Sequence, residues 1–144
     1  MYKSIVVGID GSPTAEIALE KAFELVRESA GRLHLVSAYE PAAARVTGGA
    51  PSAEEFQAPS DFKVEAVLQR AVDRCEAEGV DVEQHSPKGG AAEALIKVAE
   101  DTGADLIVIG SVGMKGPKRI FGSVPNSVSH RSPCDVLIVH TTGR

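Results

Sequence analysis

Apolar residues along this chain follow two rhythms, short continuous runs and longer stretches spaced by threes and fours. The first run, Ser4 to Ile9, is rich in β-branched residues and stops at Asp10-Gly11-Ser12-Pro13. It predicts a buried strand and a turn that opens a helix, with Pro13 or Thr14 at the helix start, where a missing amide hydrogen costs nothing. Ala15, Ala18, Leu19, Ala22, Leu25 and Val26 then recur at helical spacing, and Glu16, Glu20, Lys21, Glu24 and Arg27 fill the other face. Gly31 is the expected stop.

A second strand is predicted from Leu33 to Tyr39. The interval from Pro41 to Pro59 is rich in Pro, Ala and Gly and has little periodicity, which in a compact domain marks a functional or a disordered loop. Ser60 with Asp61 opens a second helix, whose stripe of Val64, Val67, Leu68, Ala71, Val72 and Cys75 runs up to Gly79. Val80 to Ser86 alternates as a weaker third strand, Gly89-Gly90 breaks it, and Ala91 to Thr102 is an alanine-rich helix ended by Gly103. Leu106 to Ile109 is a fourth, fully apolar strand. A short helix from Ser123 to His130 and a fifth strand from Val136 to Val139 complete the pattern, with Ser132-Pro133 between them. Such alternation implies right-handed crossovers and an α/β fold: a mainly parallel five-stranded sheet with helices on both faces.

At 144 residues the chain has the size of one domain, residues 1–144, with no second core required. Aromatic residues make up only 4%, so the interior is expected to be aliphatic. A formal net charge of -5 argues against nucleic acid as a main partner, because that binding rests on phosphate neutralisation. Neither a signal-peptide pattern nor an apolar run of membrane-spanning length is present, so a cytoplasmic protein without a membrane partner is expected. Cys75 and Cys134 lack metal-ligand spacing and read as reduced, mostly buried thiols. His34, His85, His130 and His140 fall on separate elements with no pair at ligand spacing, so no metal site is expected.

Two strands end in glycine-bearing polar turns, Asp10-Gly11-Ser12 and Gly110-Ser111-Val112-Gly113. In a doubly wound sheet, ligands sit outside the carboxyl ends of the strands where the strand order reverses, so neighbouring turns would face one crevice. Four glycines punctuate the stretch from Gly110 to Ser123, and its end leads into a helix whose first amides form an anion site. Between Asp105 and Asp135 there is no carboxylate, whereas Lys115, Lys118, Arg119 and Arg131 lie in that interval. From spacing alone, phosphate binding and a solvated loop of turn glycines both stand. Neither a Walker loop nor a Gly-x-Gly-x-x-Gly after the first strand is present. Ser12 and Ser123 lack a nucleophile elbow and an adjacent base, so no catalytic residue is expected and helix capping explains both.

The run Val6-Val7-Gly8-Ile9-Asp10-Gly11-Ser12, the glycine-rich stretch, and Gly122-Ser123-Val124 followed by Ser132-Pro133-Cys134-Asp135-Val136-Leu137-Ile138-Val139 resemble the universal stress protein family across the whole chain. The resemblance implies a Rossmann-like fold of the adenine nucleotide alpha hydrolase type with strand order 3-2-1-4-5, and a non-enzymatic stress-response or signalling role. In the ATP-binding branch of that family, nine residues separate the second and third glycines. Here eight lie between Gly113 and Gly122, one fewer.

Carried onto matching positions, the resemblance implies that Asp10 approaches the ribose or adenine side, and that Ala38 contacts the base through its backbone. Gly8, Ile109, Gly110 and Val112 would line the pocket, while Gly113, Gly122, Ser123 and Val124 would hold phosphates. For Asp10, capping of the first helix is an alternative or additional role. The implied cofactor is ATP or another adenine nucleotide, AMP or cyclic AMP among them. A homodimer through the edge strand Val136 to Val139 is also expected. The alternatives are a nucleotide-free dimeric interaction protein of the same fold and a slow ATP hydrolase or adenylating enzyme.

Overall fold

The computed structural model describes residues 2–38, 60–111 and 120–140, the side chains of 60–63 and 120–123 excepted. Five strands, β1 (Ser4–Gly8), β2 (Arg32–Val36), β3 (Asp81–His85), β4 (Leu106–Gly110) and β5 (Asp135–Val139), alternate with four helices among these residues. The helices are α1 (Pro13–Ser29), α2 (Ser60–Ala77), α3 (Ala91–Thr102) and α4 (Ile120–Arg131). All strand pairs are parallel, in the order β3-β2-β1-β4-β5. The interval from Pro41 to Pro59 lies outside the described residues.

Central position explains the continuous apolar runs. β1 and β4 are covered on both faces, so consecutive residues are all buried. Ile5 and Val7 face α1 and α2 with Leu19, Phe23, Val26, Leu68 and Cys75, whereas Val6, Ile107 and Ile109 face α3 and α4 with Leu95, Val98, Val124 and Val128. Phe23, absent from the apolar stripe predicted for α1, is among the largest fully buried side chains, and Arg27 and Arg74 lie over its ring at 5.6 and 5.5 Å. The outer strands differ: β3 carries exposed Asp81 and Glu83, while β5 exposes Ile138.

Gly31 does not end α1 in the predicted way. The left-handed residue is Ala30, at φ 55°, whose amide reaches Val26 O. Gly31 is required for a different reason, because a Cβ there would lie 2.5 Å from the carbonyl oxygen of Lys3. That same oxygen accepts the Arg32 amide at 2.9 Å as β2 begins beside β1. At the same end of the sheet, Asp105 accepts the amides of Lys3 and Ser4, each at 3.0 Å. These contacts brace the amino ends of the strands and leave their carboxyl ends for other work.

The last helix also begins earlier than predicted, at Ile120 rather than Ser123. Ile120 and Phe121 continue the helical path towards Val124 and Val128, which are buried against β4 and α3. Gly122 and Ser123 are therefore in its first turn. Pro125, sixth in the helix, gives up one backbone bond.

Candidate functional site

The strand order reverses between β1 and β4, and a cleft opens at their carboxyl ends. Gly8, Asp10, Ser12, Thr14, Ala15, Ile109 and Gly110 line about 210 Å³ of space open to solvent. Four of the predicted pocket residues, Gly8, Asp10, Ile109 and Gly110, thus meet in one place.

Local chemistry sets the geometry of Asp10. Gly11 adopts φ 84°, a region that suits glycine, and a Cβ there would come within 3.0 Å of Val67. The chain reverses at this point and returns the Ser12 amide to Asp10 Oδ1 at 2.9 Å. Ser12, not Asp10, caps α1: its Oγ accepts the Ala15 amide at 3.2 Å, with Pro13 at the first helical position. The Ser12 hydroxyl also donates to Asp10 Oδ1. Both contacts fall on one oxygen.

Asp10 Oδ2 is buried and has no hydrogen-bond partner, and among the described residues it is the side-chain polar atom in that position. Leaving a buried acceptor unmade costs about 1–3 kcal/mol, and more for a charged group. A carboxylate oxygen only accepts, so what it lacks is an O–H or N–H donor.

Ala38 follows β2 and is half-buried against the cluster that includes Val36 and Ile109. On the phosphate side, Gly122 lies in the first turn of α4, where amides have no helical acceptor, and Ser123 follows it. Val124 is fifth in the helix, so its amide falls within the helical ladder, and its side chain is 5% exposed in the core. Val112 and Gly113, with Lys115, Lys118 and Arg119, lie outside the described residues. Arg131 is committed elsewhere, to Glu93 at 3.3 Å.

The histidines depart from expectation. His34 on β2 and His85 on β3 meet, Nδ1 to Nε2, at 3.1 Å, with Glu83 beside them. The parallel register pairs His34 with Glu83 and Val36 with His85, so residues 51 apart in sequence share one face of the sheet. Cys75 is fully buried in the core, and Cys134 is half-buried against Ser132.

The chain matches the universal stress protein family over residues 1–140. It is 35% identical over 144 residues to universal stress protein Rv1636 of Mycobacterium tuberculosis, covering 98% of both chains. It is 32% identical over 147 residues to universal stress protein YxiE of Bacillus subtilis, covering 96% of this chain and 99% of that one. Among solved structures, a universal stress protein in complex with cAMP superposes with a TM-score of 0.74 at 34% identity, over 98% of this chain and 99% of the other.

Proposed function

The chain belongs to the universal stress protein family, and from that premise we propose that it binds an adenine nucleotide in the cleft between β1 and β4, acting as a binding rather than a catalytic protein in stress response or signalling. The observation that carries this reading is Asp10, which lines the cleft and whose buried Oδ2 has no hydrogen-bond partner. A nucleoside supplies such donors in its ribose hydroxyls and its exocyclic amine. Gly8, Ile109 and Gly110 line the same cleft, Ala38 follows the neighbouring strand, and Gly122 offers an amide at a helix start, where phosphate is favoured. Gly113 and Ser123 remain part of the proposed phosphate side, and Val112 part of the proposed pocket lining.

Cyclic AMP is the second ligand to test beside ATP and AMP. It is favoured by the shortened spacing of eight residues between Gly113 and Gly122 and by the relative solved with cAMP at 34% identity. A phosphate tied back to the ribose requires less of the loop than an extended triphosphate does.

The exposed Ile138 on the outer strand β5 supports a homodimer built through Val136 to Val139, because an unpaired apolar edge gains by pairing with a second copy. No helix among the described residues is long and apolar enough to cross a membrane, and we place the protein in the cytoplasm.

Thermal unfolding with each nucleotide tests the binding. A ligand at a hundred times its dissociation constant adds about 2.7 kcal/mol, which for a domain of this size raises Tm by roughly 5–10 °C. A flat response to millimolar ATP, AMP and cyclic AMP contradicts the reading. Release of phosphate from ATP, lost on substitution of Gly122 or Ser123, would make the protein an enzyme instead.

A further inference from the structure

We propose that His34, Glu83 and His85 form a divalent-cation site, suited to Zn2+, on the outer pair of strands β2 and β3. The distances between ligand atoms are 3.1 Å from His34 Nδ1 to His85 Nε2, 3.5 Å from His34 Nδ1 to Glu83 Oε1 and 4.0 Å from His85 Nε2 to Glu83 Oε1. A tetrahedron of ligands about 2.1 Å from a zinc ion has edges of about 3.4 Å, and the three separations lie on either side of that value. Two imidazoles and one carboxylate with a position left for water form a ligand set that zinc takes readily.

Burial is graded across the cluster in a way that favours a ligand reached from solvent. The His34 side chain is 6% exposed and fixed within the sheet, the His85 side chain 22% and that of Glu83 50%. The inner ligand is thereby held in place while the outer two leave a path for the ion and its waters. Register does the positioning: on a pleated sheet, Glu83 and His85 project to the same side, as do His34 and Val36 on the neighbouring strand.

Arg32 is the opposing charge. Its Nη1 lies 3.5 Å from Glu83 Oε1, and its Nε donates to Asp81 Oδ2 at 2.9 Å. Binding asks Glu83 to exchange the weaker contact for the metal while Asp81 keeps the guanidinium neutralised. Without a metal, the two rings form one imidazole–imidazole hydrogen bond, in which one nitrogen donates and the other accepts. That bond alone is the competing explanation of the 3.1 Å contact, and it predicts no metal affinity.

Protein stripped with a chelator is dialysed against Zn2+ and its metal content measured, and a parallel sample is titrated with Co2+ and followed by visible absorption. The expected result is one ion per chain for each metal, with tetrahedral Co2+ bands, and loss of both in His85→Ala. Glu83→Gln, at a half-exposed position that keeps its shape, loses the Co2+ bands while leaving the circular dichroism spectrum unchanged. The proposal is overturned if the wild type takes up no more metal than His85→Ala, or if His85→Ala retains the Co2+ bands.

Discussion

Ser12 stands between Asp10 and the first helix: its amide and hydroxyl both donate to Asp10 Oδ1, while its Oγ accepts the Ala15 amide. One serine therefore holds the helix end and aims the carboxylate. Ser12→Ala is expected to lower stability by about 1 kcal/mol through loss of the cap, and to weaken nucleotide binding by loosening Asp10. Denaturant unfolding and a nucleotide titration of the same variant measure the two effects. Ser12→Ala with unchanged nucleotide affinity would show that Asp10 does not depend on this support.

Neighbouring residues at the end of α1 should respond in opposite directions. Ala30 is exposed with φ 55°, so Ala30→Gly relieves a left-handed alanine and is expected to stabilise by about 0.5–1 kcal/mol. Gly31→Ala sets a methyl against the Lys3 carbonyl, 2.5 Å away, and forces β1 and β2 apart. A loss of roughly 2 kcal/mol or more is expected from that overpacking, read from the unfolding midpoint.

Cys75 is expected to resist thiol reagents until the protein unfolds. Burial pushes its thiol up from 9.0 to about 11, which leaves it about a hundredfold less thiolate at neutral pH than an ordinary cysteine. A thiol that holds its proton more tightly when folded contributes stability that is intact below pH 9.0 and fades as the pH climbs towards about 11. Mass spectrometry after brief alkylation should find label on Cys134 before Cys75. Early label on Cys75 would contradict its burial.

Ile138→Lys places a charge on the exposed outer strand and is expected to convert a dimer to a monomer without altering the melting temperature of the monomer. Light scattering after gel filtration gives the mass directly. A monomeric wild type at micromolar concentration would remove the dimer.

Strands β1 and β4 were legible because burial on both faces leaves an unbroken apolar run, and α3 because glycines flank it on both sides. Strand order was not readable from the pattern; it came with the family resemblance, and the sheet has that order. The start of α4 was hidden by Gly122, since a glycine in a first turn looks the same in sequence as a glycine in a loop. The need for glycine at position 31 has no local signal either, because the contact that requires it is made by Lys3, just ahead of a different strand. The meeting of His34 and His85 left no trace in local spacing: it depends on the register of two parallel strands, which is set only when the sheet assembles. Asp10 and Gly110 could be placed across one crevice because both lie where a strand runs into a glycine-bearing turn and the family resemblance makes those strands neighbours. The free Asp10 oxygen is a fact of folded geometry alone.

The most direct measurement is calorimetric titration of cyclic AMP, AMP and ATP into wild-type protein and into Asp10→Ala. If Asp10 Oδ2 accepts a hydrogen bond from the nucleoside, at least one nucleotide binds the wild type, and the variant binds it about 10- to 100-fold more weakly, the equivalent of roughly 1.5–3 kcal/mol. Equal affinity in the two proteins, or no heat from any of the three nucleotides, would contradict the account.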